Sequence, residues 1–223
     1  MLKTVIFDID GTLLNTEPVY MQAWMEAGKR FGYNVTREAL LQTRAVSKQI
    51  AMERLQRCCG ADFPYDTVRK ERIRIAEELF QITPPEQLRM PGALETLTLL
   101  REKGFTLAAA TSTERNQTAA HLAQGELTDF FSAIVCGDMV KKGKPEPEIF
   151  LKVAELVGAK PEECLVVGDT PADVLAAEAA GMKMVLIPDQ VPPTEELKAR
   201  CFACLEHLGQ LWECLERLGA SGR

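Results

Sequence analysis

Five short apolar runs punctuate the chain, and their rhythm constrains the fold more than any other feature. They are Thr4–Phe7, Thr106–Ala110, Ala133–Cys136, Cys164–Val167 and Lys183–Ile187. Each is nearly uninterrupted in apolar character and is succeeded by polar or turn residues. An amphipathic strand alternates; a strand buried on both faces does not. Helical stretches lie between the runs, at about Ala93–Lys103, Arg115–Ala123, Pro147–Val157 and Ala172–Ala180. Gly104, Gly158 and Gly181 stand where helices end in a glycine cap. Strand alternating with helix predicts an α/β fold with a doubly wound, mainly parallel sheet.

One region breaks the rhythm. From Asn15 to Leu88 no convincing strand occurs, and the pattern is that of several amphipathic helices interrupted at Pro64, Pro84 and Pro85. The expected organisation is a core of residues 1–14 and 89–223, with an all-helical insert of residues 15–88 after the first strand. Such an insert would act as a lid over the strand ends. The tail, Thr194–Leu218, is expected to add a short edge strand near Cys201–Leu205 and a last helix.

Composition narrows the partners. Of 223 residues, 46% are hydrophobic, enough for a sizeable core, and the net charge is −6. An acidic chain is a poor match for nucleic acid or an anionic membrane. No stretch is long and apolar enough to span a bilayer. The apolar run at the N-terminus is too short for a signal segment, so a cytoplasmic protein is expected. The seven cysteines are odd in number, and Cys201-x-x-Cys204 has no second pair. His121 and His207 do not complete a zinc pattern, so buried structural thiols are expected rather than disulfides or zinc.

In an open parallel sheet, ligands bind beyond the carboxyl ends of the strands. The residues there are Asp8-Ile9-Asp10-Gly11-Thr12, Thr111-Ser112-Thr113, Lys144-Pro145-Glu146-Pro147 and Gly168-Asp169-Thr170-Pro171-Ala172-Asp173. Carboxylates, a hydroxyl and a lysine therefore converge on one edge. Buried acids at that density repel one another unless a cation sits among them. Oxygen ligands select a hard ion, and magnesium suits a few carboxylates plus a substrate phosphate. Phosphoryl transfer then needs an in-line nucleophile and stabilised equatorial oxygens.

Asp8, held at the strand end, is the expected nucleophile. Asp10 is the expected acid and base. Gly11 lets the backbone approach the phosphate. Thr111, with Ser112 and Thr113, is expected to hold the transferring oxygens. Lys144 would neutralise developing charge, Asp169 would complete the metal site, and Asp173 would hold metal-bound water. Each element also has a plainer reading. A DxDGT string arises by chance roughly a few times in a thousand such chains. Asp169 and Asp173 could be helix-capping acids, Thr111 or Ser112 a helix cap, and Lys144 a solvated lysine. Their order favours the chemical reading, because each stands after the strand it should.

With these four motifs in order, nearly the whole chain resembles the haloacid dehalogenase superfamily, in its phosphatase branch with a helical cap after the first strand. That branch includes β-phosphoglucomutase and phosphoglycolate phosphatase. The resemblance implies a Mg2+ cofactor bound by the Asp8 side chain, the Asp10 backbone carbonyl and Asp169. It implies a phosphorylated small-molecule substrate, an aspartyl-phosphate, and a monomer or weak homodimer. Departures point to hydrolysis over mutase chemistry: Tyr20 stands where the mutases carry histidine, and Gly168 where they carry an acid. Asn15 replaces the aspartate of many relatives. Arg44 and Lys48 align with a basic pair that grips a second anionic group, or else lie on an exposed helix face. A phosphomutase is the alternative reading, and a non-catalytic phospho-ligand or partner-binding protein a third; no catalytic position is missing.

Overall fold

The structure is a computed structural model and describes residues 2–43, 48–189 and 192–217. The chain divides into two compact units, one of Met1–Asn15 and Pro84–Arg223, the other of Thr16–Thr83.

The first unit is built on a six-stranded parallel sheet. Its strands are β1 (Thr4–Phe7), β2 (Thr106–Ala110), β3 (Ala133–Val135), β4 (Cys164–Gly168), β5 (Lys183–Leu186) and β6 (Ala203–Cys204). The order is β3-β2-β1-β4-β5-β6, with every pairing parallel. The first five strands fall on the five apolar runs, and β6 on the expected edge. The reason the runs do not alternate is visible in the burial. Ile6, Ala108, Val166 and Met184 face one cluster with Phe150, Val153 and Val174, while Val5, Phe7, Leu107, Leu165 and Val185 are buried on the other face.

Helices α1 to α4 belong to the second unit: Glu17–Arg30, Arg37–Leu41, Lys48–Cys59 and Tyr65–Ile82. Pro64 stands at the N-terminus of α4 and Pro84 just beyond its end. The short α5 (Pro85–Leu88) already lies in the sheet unit, so the helical segment ends at Thr83 rather than Leu88. Backbone pairing explains that boundary. Asn15 N–H donates to Leu88 O at 2.7 Å, Met90 N–H donates to Leu13 O at 2.8 Å, and Leu14 bridges Arg89. Within the helical unit α1 packs on α4. The seam is aromatic, with Trp24 5.6 Å from Tyr65 and Tyr20 edge-on to Phe80 at 5.3 Å.

The sheet is flanked by α6 (Ala93–Glu102), α7 (Arg115–Gln124), α8 (Glu148–Leu156) and α9 (Pro171–Ala179). Gly104, Gly158 and Gly181 have φ of 82°, 67° and 71°, the left-handed geometry of a glycine helix stop. The tail holds the expected last helix, α11 (Leu211–Arg217), and an unexpected short one, α10 (Glu195–Ala199), capped by Thr194. The strand order matters most for function. β1 lies at the centre, with β2 on one side and β4 on the other, so the chain reverses direction across the sheet there. Crevices at such a switch point are where doubly wound sheets bind ligands.

Candidate active site

Asp8 is the first residue beyond β1. The register pairs Phe7 with Ala109 on one side and Val167 on the other, which sets Asp8 level with the ends of β2 and β4. Its N–H donates to Val167 O at 2.8 Å, and its side chain is almost wholly buried. Lys144 reaches it from 136 residues away: Nζ donates to Asp8 Oδ1 at 2.5 Å and to Ala110 O at 3.0 Å. The same ammonium lies 2.6 Å from Asp173 Oδ1. The Lys144 side chain is 4% exposed, which excludes the solvated-lysine reading. A cis peptide bond joins Lys144 to Pro145.

The electrostatics arise from crowding charges out of water. Burial raises the Asp8 carboxyl well above its ordinary range; Lys144 opposes the shift, while Asp173 and Asp169 reinforce it. For Lys144 burial works the other way, but Asp173 and Asp8 outweigh it and hold the ammonium above its usual range. Asp169 is pushed up to about 7 by burial, then by Asp173 and Asp189, against a hydrogen bond from Thr12. That bond runs from Thr12 Oγ1 to Asp169 Oδ1 at 3.3 Å.

Glycine makes this density possible at two positions. Gly11 has φ +90°, and a Cβ there would stand 2.5 Å from Asp169 Oδ2. A Cβ at Gly168 would stand 2.7 Å from Asp173 Cγ. Asp173 fills the helix-capping reading and makes a second contact besides. Its Oδ2 accepts from the N–H of Thr170 at 3.1 Å and from the Thr170 hydroxyl, a capping box at the start of α9, while Oδ1 faces Lys144.

Among the described residues, Asp8, Asp169 and Asp173 form a group that could hold a metal, their ligand atoms all within 4.8 Å of one another. Three carboxylates gathered beside the ammonium of Lys144, with the proton affinities of Asp8 and Asp169 raised by burial, fit a hard divalent cation.

Beyond Asp8 the chain does not continue as an extended strand. Gly11 N–H donates to Leu14 O, and Leu13 and Leu14 N–H both donate to Ile9 O, so the chain turns at once. Asp10 Oδ2 accepts from Thr113 Oγ1 at 2.8 Å and Thr111 Oγ1 at 3.2 Å. The hydroxyls expected to hold the transferring oxygens are thus directed at Asp10. Ser112, between them, is exposed.

The cap candidates lie in the helical unit. Tyr20 packs against Phe80, and Arg72 lies over its ring at 4.1 Å. Lys48 pairs with Asp66 at 2.7 Å, with the two side chains 60% and 69% exposed. Arg44 lies outside the described residues. Two residues were not singled out from sequence. Asp189 lies beyond β5 and adds to the charge felt by Asp169. Its signal is its place, an acid just past the fifth apolar run, as Asp8 and Asp169 are just past theirs. Arg72 is a guanidinium over Tyr20 and within 5.8 Å of Trp24, and local sequence carries no sign of it. The seven cysteines are free thiols. Cys136, Cys164 and Cys214 are buried, but Cys58 and Cys204 are exposed, against the expected burial.

Comparison with known proteins places this geometry. A family model for haloacid dehalogenase-like hydrolases matches residues 2–181. A Thermotoga maritima protein named phosphorylated carbohydrates phosphatase is 32% identical over 188 residues, 82% of this chain and 84% of its own. The Bacillus subtilis beta-phosphoglucomutase is 28% identical over 186 residues, 81% of each chain. A solved Thermotoga maritima structure, described as a candidate beta-phosphoglucomutase, superposes with a TM-score of 0.82 at 28% identity, covering 97% of this chain and all of that one. No described helix is long and apolar enough to cross a membrane. From its sheet, its ordered motifs and these matches, the chain belongs to the haloacid dehalogenase-like hydrolases and is an enzyme of their phosphatase branch.

Proposed function

We propose that this enzyme is a magnesium-dependent phosphatase that hydrolyses a small phosphorylated metabolite, in the class of sugar phosphates, through an aspartyl-phosphate on Asp8. The observation that carries the reading is the set of Asp8 and Asp173, both buried, and half-buried Asp169, their ligand atoms within 4.8 Å of one another and balanced by Lys144. The Asp8 side chain, the Asp10 backbone carbonyl and Asp169 would hold the ion, with Asp173 beside it. When bound, Mg2+ supplies charge neutralisation for the phosphate and for the ionised acids.

The residues divide the work. Asp8 attacks phosphorus as a carboxylate fixed by β1 and Lys144. Asp10 protonates the leaving oxygen and later takes the proton of the attacking water. Lys144 stabilises the negative charge that develops on the equatorial oxygens. Gly11 keeps the approach to Asp169 open. The helical unit of residues 16–83 serves as a cap that sets substrate choice, with Tyr20, Arg44 and Lys48 as its candidate contacts. The substrate class draws on the Thermotoga maritima phosphatase.

A phosphomutase is the second reading, favoured by the Bacillus subtilis relative. Against it stand Tyr20 and Gly168, the latter with no room for a side chain beside Asp173. The deciding experiment is a screen of phosphorylated metabolites, monitoring both phosphate release and isomerisation. Phosphate release that needs Mg2+, stops in EDTA and is abolished in Asp8→Asn supports the proposal. An active Asp8→Asn enzyme ends the nucleophile assignment. Isomerisation of β-glucose 1-phosphate faster than phosphate release replaces hydrolase by mutase.

A further inference from the structure

Residues 16–83 carry 11 lysines and arginines against 9 acids, in a chain whose net charge is −6. Part of that positive excess is gathered on one seam. Tyr65, Arg69 and Arg72 follow one another on α4 at spacings of four and three, so they share a face of the helix. Tyr20 and Trp24, four apart, share a face of α1 in the same way. The two faces meet. Trp24 lies 5.6 Å from Tyr65, and the Arg72 guanidinium lies 4.1 Å above the Tyr20 ring and 5.8 Å from that of Trp24.

Arg72 is half-buried, and its Nε is sealed from solvent with no hydrogen-bond partner. Other cations of the helical unit are neutralised: Arg30 and Arg74 pair with Glu71, and Lys48 pairs with Asp66. Among the described residues, no carboxylate pairs with Arg72 or with Arg69. Burial pulls the Arg72 guanidinium below its usual range; Tyr20 and Glu17 oppose the shift, and Arg69 reinforces it. The Tyr65 hydroxyl feels Arg69, Lys48 and Arg72 together. Ring faces offset only part of the cost of taking a guanidinium out of water. Two guanidiniums one turn apart also repel each other unless an anion sits between them.

We propose that Arg72, with Arg69 beside it, forms an oxyanion site within the helical unit, one that takes a carboxylate or phosphate group of a small metabolite. A guanidinium presents paired N–H donors that match two oxygens of either group. The Tyr20 ring shields one side of the guanidinium and leaves a bound anion less water to compete with. Trp24 and Tyr65 supply apolar surface for the carbon skeleton next to the anion. The bound oxyanion provides the counter-charge that no described carboxylate supplies. This site goes beyond the phosphatase reading, because it binds whether or not Asp8 performs chemistry.

The chain has two tryptophans, Trp24 in this seam and Trp212 in α11 of the sheet unit. Trp212→Phe therefore leaves Trp24 as the single reporter. The full chain carrying that change is titrated in EDTA, at constant ionic strength, with inorganic phosphate and separately with malonate. A saturable change in Trp24 emission is expected. Its appearance with phosphate, with malonate or with both tells which oxyanion the site takes. Arg72→Met keeps the length of the side chain and removes its charge. It should weaken the binding about tenfold, the loss of a charge-assisted contact. Arg72→Lys keeps the charge without the fork and should recover part of that loss. The anion that binds should also raise the melting temperature of the reporter protein and not that of Arg72→Met. Arg69 is exposed, so Arg69→Ala leaves the seam intact and reads the site if Arg72→Met does not fold. It should weaken binding severalfold. No saturable change with either anion, or an affinity unchanged in Arg72→Met and Arg69→Ala, would overturn the inference and leave Arg72 a residue that only packs the seam.

Discussion

Asp169 is disfavoured as an anion by its burial and by Asp173 and Asp189, which holds its pKa near 7. Above the ordinary carboxylate range and up to about pH 7, the folded chain keeps a proton that the unfolded chain has released. Stability of the metal-free protein therefore falls as pH rises through that window, and Asp8 acts in the same direction. Asp169→Asn removes the penalty. In EDTA at pH 8 the variant should be more stable than wild type by on the order of 2 kcal/mol in urea unfolding, and the difference should vanish below about pH 4. A constant difference across that range would show that the charge is not what destabilises the site. Gly168 carries a different kind of constraint. A methyl group there meets Asp173 Cγ, so Gly168→Ala should lower stability by about 1–3 kcal/mol, the usual result of overpacking. Thermal melts of the pair, with magnesium and with EDTA, measure it. An unchanged melting temperature in both conditions would mean that Asp173 has room to move.

At the scale of elements, the sheet was legible because burial on both faces leaves a continuous apolar run in the local sequence. Strand ends matched within one residue, since polar and glycine residues succeed each run. The insert's end was misjudged because Leu88 and Arg89 pair with Leu14 and Asn15, a contact between distant segments. The capping box of Thr170 and Asp173 was readable from its spacing, but its second role was not. One element-level support was not read at all. Glu148, at the start of α8, accepts from the N–H groups of Lys141 and Lys142, each at 2.9 Å. These bonds pin the loop that delivers Lys144, and they hold the Glu148 carboxyl below its usual range. Glu148→Ala should lower kcat/KM by about tenfold by loosening that loop. Its melting temperature should fall far less than that of Lys144→Ala, which strands two buried carboxylates. Steady-state kinetics beside calorimetry decides; wild-type kcat/KM in Glu148→Ala would make the bonds irrelevant to the site.

For the whole molecule, the acidic site couples folding to metal. The folded chain presents three oxygen donors that the unfolded chain does not gather. Magnesium at a hundredfold excess over its Kd should therefore stabilise the wild type by about 2.7 kcal/mol. The gain should shrink at pH 5, where raised carboxyl pKa values make protons compete with the ion. Differential scanning calorimetry at pH 5 and pH 8 reads both; an equal shift in Asp169→Asn would place the ion elsewhere.

The succession of strands and helices, the order of the acidic, hydroxyl, lysine and second acidic motifs, and the family they resemble all derive from residues near one another in the chain. Solvent exclusion and turn chemistry act locally and leave local marks. The strand order that sets β4 beside β1 is different, for it brings Asp8 to Asp169 from far along the chain. So are the ammonium of Lys144 shared by Asp8 and Asp173, and the two threonine hydroxyls turned toward Asp10. Those partners are chosen by register and close packing among distant segments, and no stretch of sequence carries that information alone.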